Sequence, residues 1–354
     1  MKKTKKYVLT IIATIVTTLF LIAGFVWFID PYAVFHAPFL DMGNYFEGTS
    51  THYQVGGIIR NYKYDGLLVG TSMTESIHLS TVQKAFGGDV KRVIVYGGKS
   101  KDYYYFLKAI GESGKAKYIL LGLDMGILPK LAGEFSKPDI NDYVYEPSIT
   151  SVAEYLWNGY VFEYETIRML YTNLTNTVSN MDNFCIPDIS EYNQNSVIKE
   201  ISKTSRASEK TMLRYENRYI HNLGVLVDAI GLCNNTDIYI FIPPYSIGFW
   251  YSARSEGTDT MMLNYLQQLY ERLLEYENVR ICAKMMDIDT ITNLSLYRDT
   301  NHYNSAVGDE IVNDIATGNF EITKDNIDEK FEEFRFYLNN YDWKAFEEMC
   351  FGNK

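Results

Sequence analysis

The sequence predicts an α/β protein, a five-stranded parallel sheet layered between helices, with one transmembrane helix ahead of it. Three observations carry this. Short apolar runs of strand length alternate with longer stretches of helical spacing. Those runs lack the polar alternation of half-exposed strands, as strands covered on both faces do. And four lysines stand before a long uncharged apolar segment at the amino terminus.

In chain order, Lys2, Lys3, Lys5 and Lys6 precede an uncharged, mainly apolar run of 23 residues, Tyr7 to Ile29, ended by Asp30-Pro31. A helix of that length crosses the ~30 Å hydrocarbon layer of a bilayer. The lysine cluster stays cytoplasmic by the positive-inside rule, which puts all that follows Asp30 outside. A cleaved signal peptide is the rival reading, but the run exceeds a usual signal core and no A-x-A site precedes Asp30. The expected organisation is thus an anchor at 1–29, a connector at 30–61 and an extracellular domain at 62–354, in a single-pass cell-membrane protein.

The connector, Pro31 to Asn61, is rich in aromatics and glycine and shows little periodicity. Asp65 to Gly70, Arg92 to Tyr96 and Lys117 to Leu123 then read as buried strands. Between them Ser80 to Phe86 and Lys101 to Glu112 have helical spacing, and a β-α-β-α-β order predicts parallel strands with right-handed crossovers. The pattern breaks at about 129–208, dense in Tyr, Asn and Ser, where Ile149 to Thr172 reads as helix without a strand partner; this is expected to be an insertion on the sheet. Glu209 to Gly231 is a long amphipathic helix, Asp237 to Ile242 a strand ended by Pro243-Pro244, Thr260 to Glu277 a helix and Val279 to Cys282 a fifth strand. Thr323 to Asn353, acidic and aromatic, reads as one or two closing helices. A three-layer α/β/α sandwich of the flavodoxin type fits, and such sheets bind ligands at the carboxyl ends of their strands.

Without the four amino-terminal lysines, 29 basic residues face 44 acidic ones, a net charge of −15. That excludes non-specific attraction to nucleic acid or to an anionic bilayer surface. Cys185, Cys233, Cys282 and Cys350 are scattered, with no metal-binding spacing, and a disulfide is possible without being needed. Thirty tyrosines can line a core or present flat faces to sugars.

Two motifs can carry chemistry. Leu67-Leu68-Val69-Gly70-Thr71-Ser72 places a serine just after the first strand. Ser72 is either a nucleophile or a cap of the next turn, and a nucleophilic serine needs a base held by a carboxylate. Of five histidines, His302 stands in Arg298-Asp299-Thr300-Asn301-His302-Tyr303, a polar loop beyond the last strand. Asp299, three residues ahead, can share a turn with it and fix its tautomer, or can simply cap the helix that follows. His36 and His52 lie in the connector, His78 just after the serine, and His221 on a helix face. A phosphate-binding turn is the third possibility for Gly70-Thr71-Ser72, but the Walker lysine is missing.

Taken together, Gly70-Thr71-Ser72 after strand one and Asp299-Thr300-Asn301-His302 near the carboxyl terminus resemble the first and last blocks of the SGNH (GDSL-like) hydrolase superfamily. The resemblance covers Asp65 to Asp124 and Asn217 to Ala316. It implies Ser72 as nucleophile, His302 as base and Asp299 as its partner, with no metal or organic cofactor. It also implies an oxyanion hole from the Ser72 N–H and a glycine of Tyr96-Gly97-Gly98-Lys99-Ser100, either Gly97 or Gly98. The third block usually offers an asparagine donor; this chain has Leu121-Gly122-Leu123-Asp124. A carboxylate there accepts hydrogen bonds and repels an oxyanion, so Asp124 points away, is protonated or weakens hydrolysis.

The anchored arrangement is similar to the membrane-bound branch that includes the D-alanyl transfer protein of lipoteichoic acid and the alginate acetylation proteins. Tyr53-Gln54-Val55-Gly56-Gly57-Ile58 and Phe241-Ile242-Pro243-Pro244-Tyr245-Ser246 also look like stretches of anchored Gram-positive proteins. This implies an esterase or acyltransferase acting on a cell-surface glycopolymer beside a membrane-bound O-acyltransferase. The alternative is a non-catalytic accessory protein that binds the polymer or that enzyme. Phe249, Trp250 and Tyr251, following strand four, are expected to touch substrate. Tyr155, Trp157, Tyr160, Phe162, Tyr164 and Tyr171 of the insertion are expected to form an aromatic helix face packed on the sheet, with sugar stacking the other reading.

Overall fold

The computed structural model describes residues 2–37, 39, 51–131, 133–137, 144–175, 192–201 and 205–352. In chain order the first half holds helices α1 (Lys2–Ile29) and α2 (Thr51–Asn61), strand β1 (Gly66–Gly70), α3 (Leu79–Phe86), β2 (Val90–Ile94), α4 (Ser100–Ser113), β3 (Tyr118–Gly122), α5 (Ile149–Leu156) and α6 (Ile167–Leu174). Then come α7 (Gln194–Glu200), α8 (Glu209–Gly231), β4 (Asp237–Phe241), α9 (Ile247–Glu256), α10 (Asp259–Leu273) and β5 (Val279–Cys282). The chain closes with α11 (Ile288–Thr292), α12 (Ser305–Thr317), β6 (Glu321–Ile322), α13 (Ile327–Asn340) and α14 (Trp343–Phe351). It divides into two compact units, 1–62 with 139–181, and 63–138 with 182–354.

The second unit is built on one sheet in the order β2-β1-β3-β4-β5-β6. The first five strands are parallel and β6 is antiparallel to β5. The central strands are sealed: Leu67, Leu68, Val69, Ile119, Leu120 and Leu121 expose nothing to solvent. Each such side chain contributes about 1.5–3 kcal/mol by burial, and Leu120→Ala would cost about 2–5 kcal/mol. This burial explains why the strands read as unbroken apolar runs.

Two details correct the expected sheet. β2 begins at Val90, two residues early, because Gly66 pairs with Val90 and the ladder runs out where Gly70 meets Ile94. A sixth strand is present, since Ile322 and Glu321 pair with Ile281 and Cys282. Two residues are too few to show a period.

In the first unit, α1 ends at Asp30, which has positive φ and precedes Pro31. The Asp30 carboxylate accepts the N–H groups of Val34, Phe35 and His36 at 2.8–3.0 Å, satisfying a chain that can no longer continue the helix. The connector, read as having little periodicity, contains α2. Its interior glycines, poor helix formers, are required by contact: a Cβ on Gly57 would lie 2.1 Å from the Tyr32 carbonyl oxygen. Close approach of backbones hid the helix from its periodicity. The insertion helix expected over Ile149–Thr172 breaks at Trp157-Asn158 and contains a π-helical segment, Val161–Thr166.

Candidate active site

β1 delivers Thr71 and Ser72 to its carboxyl end. Thr71 is extended and caps the single 3₁₀ turn Ser72–Thr74, its Oγ1 accepting from the Met73 N–H at 3.3 Å. The Thr74 hydroxyl returns to the Thr71 carbonyl at 2.8 Å. Gly70 makes room for this turn, because a Cβ there would meet Thr74 Cγ2 at 2.4 Å. So the capping role expected for this turn falls to Thr71, and the Ser72 side chain is left to point elsewhere.

It points to His302. Ser72 Oγ lies 2.9 Å from His302 Nε2, although 230 residues separate them. On the other side of the ring, Nδ1 lies 2.7 Å from Asp299 Oδ2. A carboxylate oxygen accepts, so Nδ1 carries the proton of the neutral ring and Nε2 offers its lone pair to the serine hydroxyl. Asp299 Oδ1 also accepts the backbone N–H groups of Asn301 and His302, each at 2.7 Å. Burial alone would raise the Asp299 carboxyl, but the His302 ring and these N–H groups outweigh it and hold it below its ordinary value. All three side chains keep partial solvent access: His302 is 23% and Asp299 21% exposed, and Ser72 is half-buried.

The loop that carries Asp299 and His302 is fastened at several points. Tyr297 and Tyr303 form an antiparallel bridge across its base, and Arg298 N–H donates to the His302 carbonyl at 3.0 Å. The Tyr303 hydroxyl donates to the Met73 carbonyl, tying the loop to the serine turn. From the end of β4, Ser246 Oγ donates to the Thr300 carbonyl at 2.7 Å, and the Tyr297 hydroxyl to the Pro244 carbonyl at 2.9 Å. The Pro243-Pro244-Tyr245-Ser246 stretch is therefore a brace for the loop.

Sequence reasoning missed a charged pair beside this site. Arg298 Nη2 lies 2.7 Å from Glu75 Oε1, and its Nε lies 3.7 Å from Asp299 Oδ2. Tyr96 donates to the same Glu75; burial first, then the Glu75 charge, pushes its hydroxyl up and keeps it a donor. Glu75 directly follows the serine turn, but its partner is 223 residues away, and no local spacing announces that contact.

The glycine choice narrows. Gly98 donates its N–H to the Val95 carbonyl at 3.0 Å, so that donor is already committed. Gly97 has φ +63°, a left-handed conformation that suits glycine. Among the described residues, neither the Gly97 nor the Ser72 N–H donates to another group. The carbonyls of Gly97 and Gly98 accept Lys130 Nζ at 3.1 and 3.2 Å, fixing the turn.

Asp124 accepts three donors. Its Oδ1 accepts Gly126 N–H at 2.7 Å and the Tyr245 hydroxyl, and its Oδ2 accepts Thr71 Oγ1 at 3.3 Å. Burial first, then the neighbouring Asp124 charge, pushes the Tyr245 hydroxyl well above its ordinary value, so it remains a donor. Asp124 thus braces the serine turn through Thr71.

The aromatics after β4 need correction. Trp250 exposes nothing and packs edge-on against Phe334, while Tyr251 is buried among Trp343, Phe346 and Phe351. α9 turns those two faces to the closing helices, which a strand-end argument did not foresee. Phe249 alone stays half-buried, packs on Tyr245 at 4.5 Å and lines a groove of about 200 Å³ with Gly126, Tyr215 and Tyr219. His78 is paired with Asp309 at 2.8 Å and His221 is exposed on α8. The insertion aromatics, expected on the sheet, belong instead to the first unit: Tyr155 is fully buried with its hydroxyl on Asp30, and Trp157, Tyr160, Tyr164 and Tyr171 are 46–63% exposed. Cys233, Cys282 and Cys350 are free thiols, and Cys185 lies outside the described residues.

In comparisons with known proteins, no family model, no curated protein and no solved structure matches this chain.

Proposed function

We propose that the chain is a membrane-anchored serine esterase or acyltransferase of the SGNH type, acting on an ester-linked acyl group of a cell-envelope glycopolymer. The observation that carries this is the continuous line Ser72 Oγ, His302 Nε2, His302 Nδ1, Asp299 Oδ2, with gaps of 2.9 and 2.7 Å. Nucleophile, base and orienting carboxylate stand in the roles that acyl transfer requires. The strand order β2-β1-β3-β4-β5, with the serine after β1, supports a flavodoxin-like three-layer sandwich.

In this reading Ser72 Oγ attacks the acyl carbonyl carbon while its proton passes to His302 Nε2. Asp299 stabilises the imidazolium that forms. The N–H groups of Ser72 and Gly97 receive the developing oxyanion, in place of the asparagine donor that Asp124 replaces. Collapse breaks the bond to the sugar oxygen, which takes the proton from His302 and leaves an acyl-Ser72 ester. Water, or a hydroxyl of a second acceptor, then attacks that ester with His302 again taking the proton; the bond between the acyl carbon and Ser72 Oγ breaks, Oγ takes the proton back from His302, and the free acid or the new ester leaves. The apolar α1 helix, long enough to span a bilayer, supports placing this chemistry at the outer membrane surface, beside an O-acyltransferase if the reaction is transfer.

Hydrolysis of p-nitrophenyl acetate by the full chain in detergent tests the proposal. Ser72→Ala is expected to lower kcat by about 10⁴-fold or more; a variant as fast as the parent would refute it. The accessory reading, in which the polymer is bound and not cleaved, is favoured by Asp124, since a carboxylate stands where an oxyanion donor is expected. It requires that the parent chain itself turn over no ester.

A further inference from the structure

The first unit holds a feature that the proposed chemistry does not use. The segment 149–174 lies along α1 in an ordered sequence of contacts. The Tyr155 hydroxyl donates to Asp30 Oδ1 at 2.9 Å, at the outer end of α1. Only two residues later, Trp157 Nε1 donates to the Leu19 carbonyl at 3.0 Å, and its ring meets Phe20 edge-on at 6.4 Å. Phe162 then meets Phe25 at 6.3 Å, and Met169 packs with Ile29. The contact on α1 therefore moves inward from Asp30 to Leu19 and returns outward to Ile29. Asn158 Oδ1 accepts the N–H groups of Tyr160 and Val161, at 2.9 and 3.2 Å, and starts the returning helix.

We infer that residues 149–174 form a helical hairpin whose tip, Trp157 to Tyr160, inserts into the outer leaflet beside α1 and contacts its lipids. This rests on the reading of α1 as a membrane anchor. Roughly 20 helical residues cross the hydrocarbon layer, so a span starting after Lys6 ends near Val26. At about 1.5 Å per residue, Leu19 then lies roughly 10 Å inside that boundary. A side chain bonded to the Leu19 backbone is at the same depth. Whatever faces away from α1 at that level meets lipid.

The outward faces suit this place. Trp157, Tyr160, Tyr164 and Tyr171 are exposed, with Ile167 and Leu174 between and beyond them. Tryptophan and tyrosine are the residues enriched where acyl chains meet headgroups, and interfacial helices sink roughly 5–10 Å into that boundary. The exposed carboxylates Glu154 and Glu163 stand three residues before and six after Trp157, nearer the outer end of α1 on both arms. They fix how deep the hairpin goes, because a carboxylate stays at the headgroup level or above. The exposed aromatic face thus lies beside the outer half of the anchor.

The test labels the full chain with 5-fluorotryptophan in phosphatidylglycerol and phosphatidylcholine nanodiscs. The four fluorine resonances, from Trp27, Trp157, Trp250 and Trp343, are assigned by single Trp→Phe variants. If Trp157→Phe does not fold, its signal follows by elimination. A lipid with a nitroxide high on its acyl chain should broaden Trp27 and Trp157 together and leave Trp250 sharp, while an aqueous gadolinium chelate should spare Trp157. Broadening of Trp27 alone, or of Trp157 by the chelate, overturns the inserted hairpin and leaves the anchor standing. If neither tryptophan responds to the lipid nitroxide, the anchor itself is refuted and the hairpin with it.

Discussion

Asp299 does three tasks with one carboxylate: it accepts two backbone N–H groups, fixes the His302 tautomer and sets the ring against Ser72. Asp299→Asn keeps the size but can present an amide N–H to Nδ1, favouring the wrong tautomer. Esterase kcat is expected to fall about 10³–10⁴-fold with little change in KM. The same residue makes stability depend on pH. Because its carboxyl is held below the ordinary value of 3.8, its stabilising contribution is complete above that value and is lost as pH falls through the folded-state value. The denaturation midpoint of the parent chain should therefore drop faster than that of Asp299→Asn between about pH 5 and about pH 3. Parallel pH curves would contradict the coupling.

At the scale of elements, the serine turn depends on what lies under it. Gly70→Ala places a methyl group 2.4 Å from Thr74 Cγ2, and such overpacking costs about 1–3 kcal/mol. Urea denaturation and esterase rate should both fall in Gly70→Ala, and Thr74→Ser in that background should restore most of the rate by removing Cγ2. No recovery would mean that another contact holds the turn.

The elements also show what the residues themselves disclosed. Gly70-Thr71-Ser72 and the Asp299/His302 spacing are local, and buried parallel strands write themselves as apolar runs, so the strands and the residues that meet as Ser72, His302 and Asp299 were legible. The Glu75–Arg298 pair, the Tyr245 hydroxyl on Asp124 and the Ser246 brace join segments more than 50 residues apart. Such contacts leave no period. α2 was hidden by glycines that serve backbone contact, and β6 by its length.

For the molecule as a whole, stability rests on the covered sheet, and its thiols report on that cover. Burial pushes Cys233 and Cys282 up to about 12, so neither holds a useful fraction of thiolate at neutral pH. In the native chain both should resist iodoacetamide at pH 8 and react once urea opens the sheet, as read by peptide mass spectrometry. Rapid native labelling of either would show that the sheet is not closed as described.

The central claim is that His302 and Asp299 make Ser72 a nucleophile, and its most direct test needs no knowledge of the natural acyl group. The full chain is treated with a fluorophosphonate, which reacts only with activated serines, and the adduct is located by peptide mass spectrometry. The account predicts one adduct, on Ser72, absent in Ser72→Ala and strongly reduced in His302→Ala. A parent chain that stays unlabelled, or that labels on another serine, would contradict it.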